Sequence, residues 1–235
     1  MGASRRKLAS SLKLGKAMIN GEIRPTNLSF ADLDSGLRYK LLAGVIVPRP
    51  IALVTTLTAD GVVNAAPFSF FNVFSEEPPL VVIGLQSKGD LSPKDTTANV
   101  RRSGEFVVNL VGEAIAEQMD VCAAEFPSDI SELDEAGLTT ASSIDINVPR
   151  IAEAPVALEC RRNIILSFGP HRDLLIGEVL RIHAFPGIID PITFRTNLSE
   201  YCPVGRISGN RYSKQNDIFI ITRKTLTERK GKKNT

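Results

Sequence analysis

Apolar positions along this chain fall into short blocks, most of them with the length and β-branched composition of strands rather than the three-to-four spacing of helices. Residues 50–58 (PIALVTTLT), the turn signal Ala59-Asp60-Gly61 and VVNAA at 62–66 together predict a hairpin. Further strands are expected at 80–85 (LVVIGL, after Pro78-Pro79), 106–111 (FVVNLV), 156–166 (VALECRRNIIL), 173–185 (DLLIGEVLRIHAF) and 218–222 (IFIIT). Helices read as inserts. One spans Ser35 to Leu42 and closes at Gly44. A second has Ser92 as N-cap, Pro93 at the first helical position and Asp95 at the third, and ends at Ser103-Gly104. A third runs from Glu113 to about Cys122 and a fourth from Ser128 to Ala136, stopping at Gly137. Between these two, Ala123 to Pro127 reads as a loop able to cover a site. This order predicts a mainly β fold with inserted helices, closed as an antiparallel barrel.

Composition narrows the picture. The 235 residues are 43% apolar and 23% charged, enough to bury a core in one domain. No uncharged apolar stretch is long enough to span a membrane, and no secretory leader pattern opens the chain. Cys122, Cys160 and Cys202 are odd in number and lack Cys-x-x-Cys spacing, which predicts reduced thiols and a cytoplasmic protein. With two histidines, His171 and His183, no zinc site is expected. The net charge of +2 hides basic ends: residues 1–20 and 222–235 each carry about +5, which leaves the middle acidic. A nucleic-acid reader carries its basic stripe on the folded surface, so no nucleic-acid partner is expected. The organisation read is a basic extension (1–27), one domain (28–223) and a basic tail (224–235). Solvated ends are the simple reading, with weak polyanion contact or targeting as alternatives.

Rossmann, P-loop, nucleophile-elbow and zincin motifs are all missing from the sequence. Small polar residues instead gather at strand ends. Pro48-Arg49-Pro50 with Thr55 and Thr56 is one group, Asn64 to Asn72 a second and Ser92 to Asn99 a third. At the third, a helix start offers N–H groups and a positive dipole end, and Lys94 and Thr96 add a cation and a hydroxyl, the chemistry of a phosphate cradle. Plain capping with a solvated Lys94 is the alternative. In the second group, Ala65-Ala66-Pro67 permits close backbone approach to a flat heterocycle, Asn64, Ser69 and Asn72 suit a polyol or phosphate, and Phe68, Phe70 and Phe71 suit a ring wall. The alternative makes the phenylalanines core and the asparagines turn formers. Cys122 reads as a redox thiol or a buried hydrophobe, and His171 as a substrate contact or a satisfied strand-edge residue.

The ordered run VPRPIALVTT, ADG, VNAAPFSFFNV, PPL, PKDT with Asn99, GEFVVNLV and RIAEAPVALEC resembles the flavin reductase-like family, over about residues 30–222. The resemblance implies an FMN-binding split β-barrel of Greek-key type, usually homodimeric, with the flavin near the subunit interface. It also implies cofactor contacts from Arg49, Thr55 and Thr56, from Asn64, Ala65, Ala66, Ser69, Phe71 and Asn72, from Lys94, Asp95 and Thr96, and from Arg206. A segment at Pro203 to Arg206 with Tyr212 would close over the cofactor. Ser208 departs from the glycine common after that arginine, and no arginine precedes Pro93-Lys94-Asp95-Thr96. The activity implied is NAD(P)H:flavin reduction, with NAD(P)H as electron donor and a partner oxygenase served by the reduced flavin. The alternative is a flavoredoxin-like electron carrier reduced by a redox protein partner.

Overall fold

Seven strands of the computed structural model form one antiparallel sheet, in the order β2-β1-β5-β8-β9-β4-β3. The strands are β1 (Ala52–Leu57), β2 (Val63–Phe68), β3 (Phe71–Glu76), β4 (Pro79–Gln86), β5 (Glu105–Leu110), β8 (Val156–Ser167) and β9 (Arg172–Ala184). Described are residues 26–124, 126–127 and 130–223. The two edge strands, β2 and β3, follow one another in sequence with Ser69 and Phe70 between them. Seven strands laid flat would separate those edges by about 29 Å, whereas three Cα steps reach at most about 11 Å. The sheet therefore curls until its edges meet at Ser69 and Phe70, where Gly84 N of β4 donates to Phe70 O at 2.7 Å and extends the β3–β4 ladder by one residue. This is the antiparallel barrel that the strand pattern predicts.

The chain divides into two compact units, Met1–Val45 and Ile46–Thr235. The described part of the first holds a 3-10 turn (Phe30–Asp32) and helix α1 (Ser35–Val45), which runs through Gly44 rather than closing there. Asp34 Oδ1 accepts from Leu37 N at 2.8 Å at its start. The barrel belongs to the second unit.

Strand β1 is buried on both faces, which explains its unbroken apolar run. Alternation sends Leu53 into a core with Ala65, Ile115, Met119 and Leu133, and Ala52 and Val54 into another with Val81, Ile83, Val100 and Phe106. The β1–β2 turn forms where the sequence places it: Thr58 N donates to Val62 O at 2.9 Å, and Gly61 takes a φ of 84°.

Several boundaries differ from the sequence reading. Helix α2 is Asp95–Ser103, with Lys94 at the N-cap (φ −66°, ψ 159°) instead of Ser92. Ser92 is drawn away because its hydroxyl donates to Asp90 Oδ1 at 2.6 Å. The expected helix from Glu113 splits into a 3-10 turn, Glu113–Ile115, and α3, Ala116–Val121. Helix α4 is Glu132–Ala136; of the earlier start expected for it, residues 128–129 lie outside the described residues. Strands β2 and β3 between them take up all but Ser69 and Phe70 of the Asn64 to Asn72 stretch that reads as a polar binding segment. Two short hairpins were not legible: β6 (Thr140–Ala141) with β7 (Arg150–Ile151), and β10 (Val204–Arg206) with β11 (Tyr212–Lys214). A four-residue helix, α5 (Leu198–Tyr201), precedes the second hairpin. No strand forms at 218–222, where Ile218, Phe219, Ile220 and Ile221 are 63–91% exposed, because a strand requires a neighbour as well as a composition. No helix among the described residues is long and apolar enough to cross a membrane. The basic ends lie largely outside the described residues.

Candidate functional site

Edge strand β2, the start of α2 and the residues after α3 meet around a cleft of about 270 Å³, close to the lower end of small-molecule sites. Asn64, Ala66, Pro67 and Phe68 come from β2, Lys94, Asp95 and Thr96 from the start of α2, and Lys88 from the loop after β4. Cys122, Ala123, Ala124 and Phe126 line the opposite side with Glu132. The loop read as a possible cover thus borders the cleft; Glu125 lies outside the described residues.

The helix start has the form of an anion cradle. The first intrahelical bond is Ala98 N to Lys94 O (3.0 Å), so the amides of Asp95, Thr96 and Thr97 precede the helical ladder. They stand at the positive dipole end with the Lys94 side chain beside them. Asp95 at the first helical position brings a carboxylate into the same space, and Lys88 Nζ holds it at 3.0 Å.

Behind the opening lies a buried polar cluster. Asn99 Nδ2 donates to Thr56 Oγ1 at 3.1 Å. With its amide nitrogen turned to the acid, Asn64 donates to Glu132 Oε1 at 3.2 Å and accepts from Thr96 Oγ1 at 3.1 Å. Glu132 Oε2 accepts from Ala65 N at 2.9 Å, an amide on the side of β2 that has no strand neighbour. Burial raises the Glu132 carboxyl above its usual range and Asp95 adds to this, against the opposing bond from Ala65 N. Burial, with Glu132 nearby, pushes the Cys122 thiol up to about 12, so Cys122 sits here as a neutral hydrophobe.

Other residues singled out from sequence lie elsewhere. The Thr55 side chain points to the opposite face of β1, donating to Pro149 O at 2.7 Å and accepting from Asn109 Nδ2 at 3.3 Å. Ala65 is fully buried in the core under α3 and α4. Arg49 donates to Ser69 Oγ (3.4 Å) and Ile46 O (2.8 Å), and its backbone bridges that of Arg206. Arg206 donates to the Tyr212 hydroxyl, which donates to Asp120 Oδ1 at 2.9 Å and thereby holds the β10–β11 hairpin to α3. Phe71 packs against the core, and the Asn72 Oδ1 accepts from Val73 N at 2.9 Å on an exposed stretch of β3. His171 contributes its carbonyl to Ser87 N at 3.2 Å.

The sequence reading missed Glu132. An acid at a helix start reads as an ordinary dipole partner, and only the fold shows that it faces β2. The donor set of the cleft, two lysines, a hydroxyl and helix-start amides, suits a phosphate-bearing ligand, and the Asn64 and Ala66 side suits a polar heterocycle or polyol. FMN fits that chemistry.

A curled antiparallel sheet with an anion-competent helix start at its edge defines a split-barrel protein with a small-molecule cleft. The family model described as flavin reductase like domain matches residues 44–201, so the chain belongs to the flavin reductase-like family, as the motif resemblance implies. A protein of Aquifex aeolicus is 40% identical over 185 residues, 78% of this chain and 92% of its own. Among solved structures, 2-nitrobenzoate 2-nitroreductase NbaA of Pseudomonas fluorescens is 37% identical with a TM-score of 0.79, covering 86% of this chain and 98% of that one. Nitrilotriacetate monooxygenase component B of Bacillus cereus is 34% identical with a TM-score of 0.81, covering 85% and 100%.

Proposed function

We propose that this protein is a cytoplasmic, homodimeric, FMN-dependent oxidoreductase of the NAD(P)H:flavin reductase type, suited to serve as the reductase component of a two-component monooxygenase. The observation that carries the reading is the cleft itself: Lys88, Lys94, Thr96 and the first amides of α2 face Asn64 and Ala66 across one opening. A similar protein, component B of a monooxygenase, supports the partner class. The bare apolar residues Val73, Phe74, Ile164 and Phe168, 44–71% exposed, support burial against a second copy.

When bound, FMN supplies the two-electron chemistry. The chain's own residues bind and orient it. Lys94, Lys88, Thr96 and the α2 amides would neutralise the phosphate, and Asn64 and Ala66 would face the rest of the cofactor inside the cleft; Ser69, Phe71 and Asn72 lie outside it and would meet only a part of the cofactor that extends past it towards β3. Thr55, Thr56, Ala65 and Asp95 hold the surrounding backbone and charges in place. Arg49 and Arg206, outside the cleft, would contribute positive charge that favours an electron-rich ring at longer range.

The test is the visible spectrum of the purified protein after incubation with FMN and gel filtration, followed by anaerobic addition of NAD(P)H. Flavin retained on a dimer-sized peak and bleached by NAD(P)H is the expected result. Retained flavin that bleaches only with a reduced protein partner reassigns the protein to electron carriage, and a colourless protein overturns the cofactor assignment.

A further inference from the structure

The Glu132, Asn64 and Thr96 side chains form a chain of hydrogen bonds whose direction a proton on Glu132 would reverse. With Glu132 ionised, the Asn64 nitrogen donates to Oε1 (3.2 Å) and its oxygen accepts the Thr96 hydroxyl (3.1 Å). The Thr96 proton is then committed inward. With the amide reversed, Asn64 Nδ2 would stand as a donor 3.1 Å from Thr96 Oγ1 and 3.4 Å from Thr56 Oγ1. Its oxygen now faces Glu132 Oε1, a pairing of two acceptors that only a proton on the carboxyl satisfies. In this second arrangement Thr96 accepts from Asn64 and its own O–H is released towards the cleft that it lines.

Resting on the FMN reading above, we propose that Glu132 takes up a proton when the cofactor phosphate enters, and that Asn64 transmits this by turning its amide so that Thr96 becomes a donor to the phosphate. Glu132 is thus a positioning residue that acts through Asn64. One proton moves from solvent to Glu132 Oε1, no covalent bond changes in the ligand, and Oε2 keeps its bond from Ala65 N (2.9 Å) in both arrangements. The ionisable groups around Glu132 are Asp95, Lys94 and Lys88 at the start of α2 and Cys122 after α3, with Asp134 and Glu135 on its own helix; β2 contributes neutral amides. A dianionic phosphate adds negative charge to a carboxyl already raised by burial and by Asp95, so both the charge and the Thr96 donor favour the protonated form.

The experiment compares FMN and riboflavin binding to the wild type and Glu132→Gln by flavin fluorescence between pH 7 and 9, where the FMN phosphate is already largely dianionic. Gln donates to Asn64 without titrating. Wild-type FMN affinity should fall with rising pH, by at most about tenfold per unit, as expected for one linked proton. Glu132→Gln should hold its affinity, and riboflavin, which lacks phosphate, should show no difference in slope between the two proteins. Independently of any variant, calorimetry of the wild type, at a pH where its FMN affinity is falling and in buffers of differing ionisation enthalpy, should register proton uptake with FMN and none with riboflavin. FMN binding with equal slopes in both proteins, or without proton uptake, overturns the relay and leaves the cofactor assignment standing. Failure of the wild type to bind FMN at any pH overturns the assignment itself.

Discussion

Removing the two lysines of the cleft one at a time separates phosphate recognition from simple helix capping. Lys94 occupies the N-cap of α2 and lines the cleft, and Lys88 Nζ lies 3.0 Å from Asp95 Oδ1. A charge-assisted contact to phosphate contributes about 1.5 to 3 kcal/mol, so Lys94→Ala should weaken FMN binding by about 10- to 150-fold. Lys88→Ala removes a cation and also releases the Asp95 carboxylate next to the incoming anion. That pair is 35–42% exposed, so solvent screening holds the second effect to about 1 kcal/mol. Lys88→Ala combined with Asp95→Asn should therefore bind FMN several-fold better than Lys88→Ala alone, a non-additivity that a double-mutant cycle measures. The assay is fluorescence titration at low and high salt, with riboflavin as the ligand without phosphate. Lys94→Ala should leave riboflavin affinity within about threefold of wild type. Equal losses for FMN and riboflavin would refute the argument, because the lysine would then act on the ring or on the fold.

Three further outcomes concern the scaffold. A Cβ on Gly177 would come within 2.9 Å of Phe106 Cε1 and closer still to Cζ, in a ring with no exposed surface, so Gly177→Ala should cost about 3 kcal/mol in urea denaturation and much less in a Phe106→Leu background. Asn109 is fully buried; it donates to Leu53 O (3.0 Å) and accepts from Ile151 N (2.8 Å), so Asn109→Ala should cost about 2 to 4 kcal/mol, and a cost under about 0.5 kcal/mol would refute it. The buried carboxylates Glu132 and Glu159 should respond to pH with opposite signs. For Glu132, burial raises the folded-state pKa, so its contribution to stability falls as pH rises through its unfolded value towards the folded one, and Glu132→Gln should gain on wild type over that window. For Glu159, burial is outweighed by His183 and by the Ile144 and Asp145 amides, which hold the pKa down. Its contribution is therefore full near neutrality and lost as pH falls through the folded value, and the deficit of Glu159→Gln should shrink in acid.

Local chemistry carried much of the architecture. The β1–β2 hairpin was legible because Asp60-Gly61 supplies a turn between two β-branched runs, β4, β5 and β9 because each carries a run of apolar residues, and β8 because apolar residues flank its charged centre. Strand β3 was not, since Phe71 to Glu76 mixes aromatic and polar residues and follows a segment whose small residues suggest binding; its identity depends on pairing with β4. Ile218 to Thr222 shows the converse, a strand composition without a strand neighbour. In the cleft, Lys94 and Thr96 were legible from the helix start, and Asn64 and Ala66 from their unusual neighbourhood. Glu132 lies 68 residues beyond Asn64 in the chain, and no local pattern links the two.

That distance is explained by the edge that β2 presents. An edge strand leaves alternate amides without a ladder partner, and Ala65 N is one of them, answered by a carboxylate from α4 instead of another strand. Any acceptor there satisfies the amide, but only an acid or amide side chain also reaches Asn64. Glu132→Ala should therefore leave Ala65 N buried without an acceptor and cost about 1 to 3 kcal/mol, while Glu132→Gln keeps an oxygen for Ala65 and should remain close to wild type near pH 5. Equal destabilisation by both would mean that the negative charge, and not the acceptor, secures this edge.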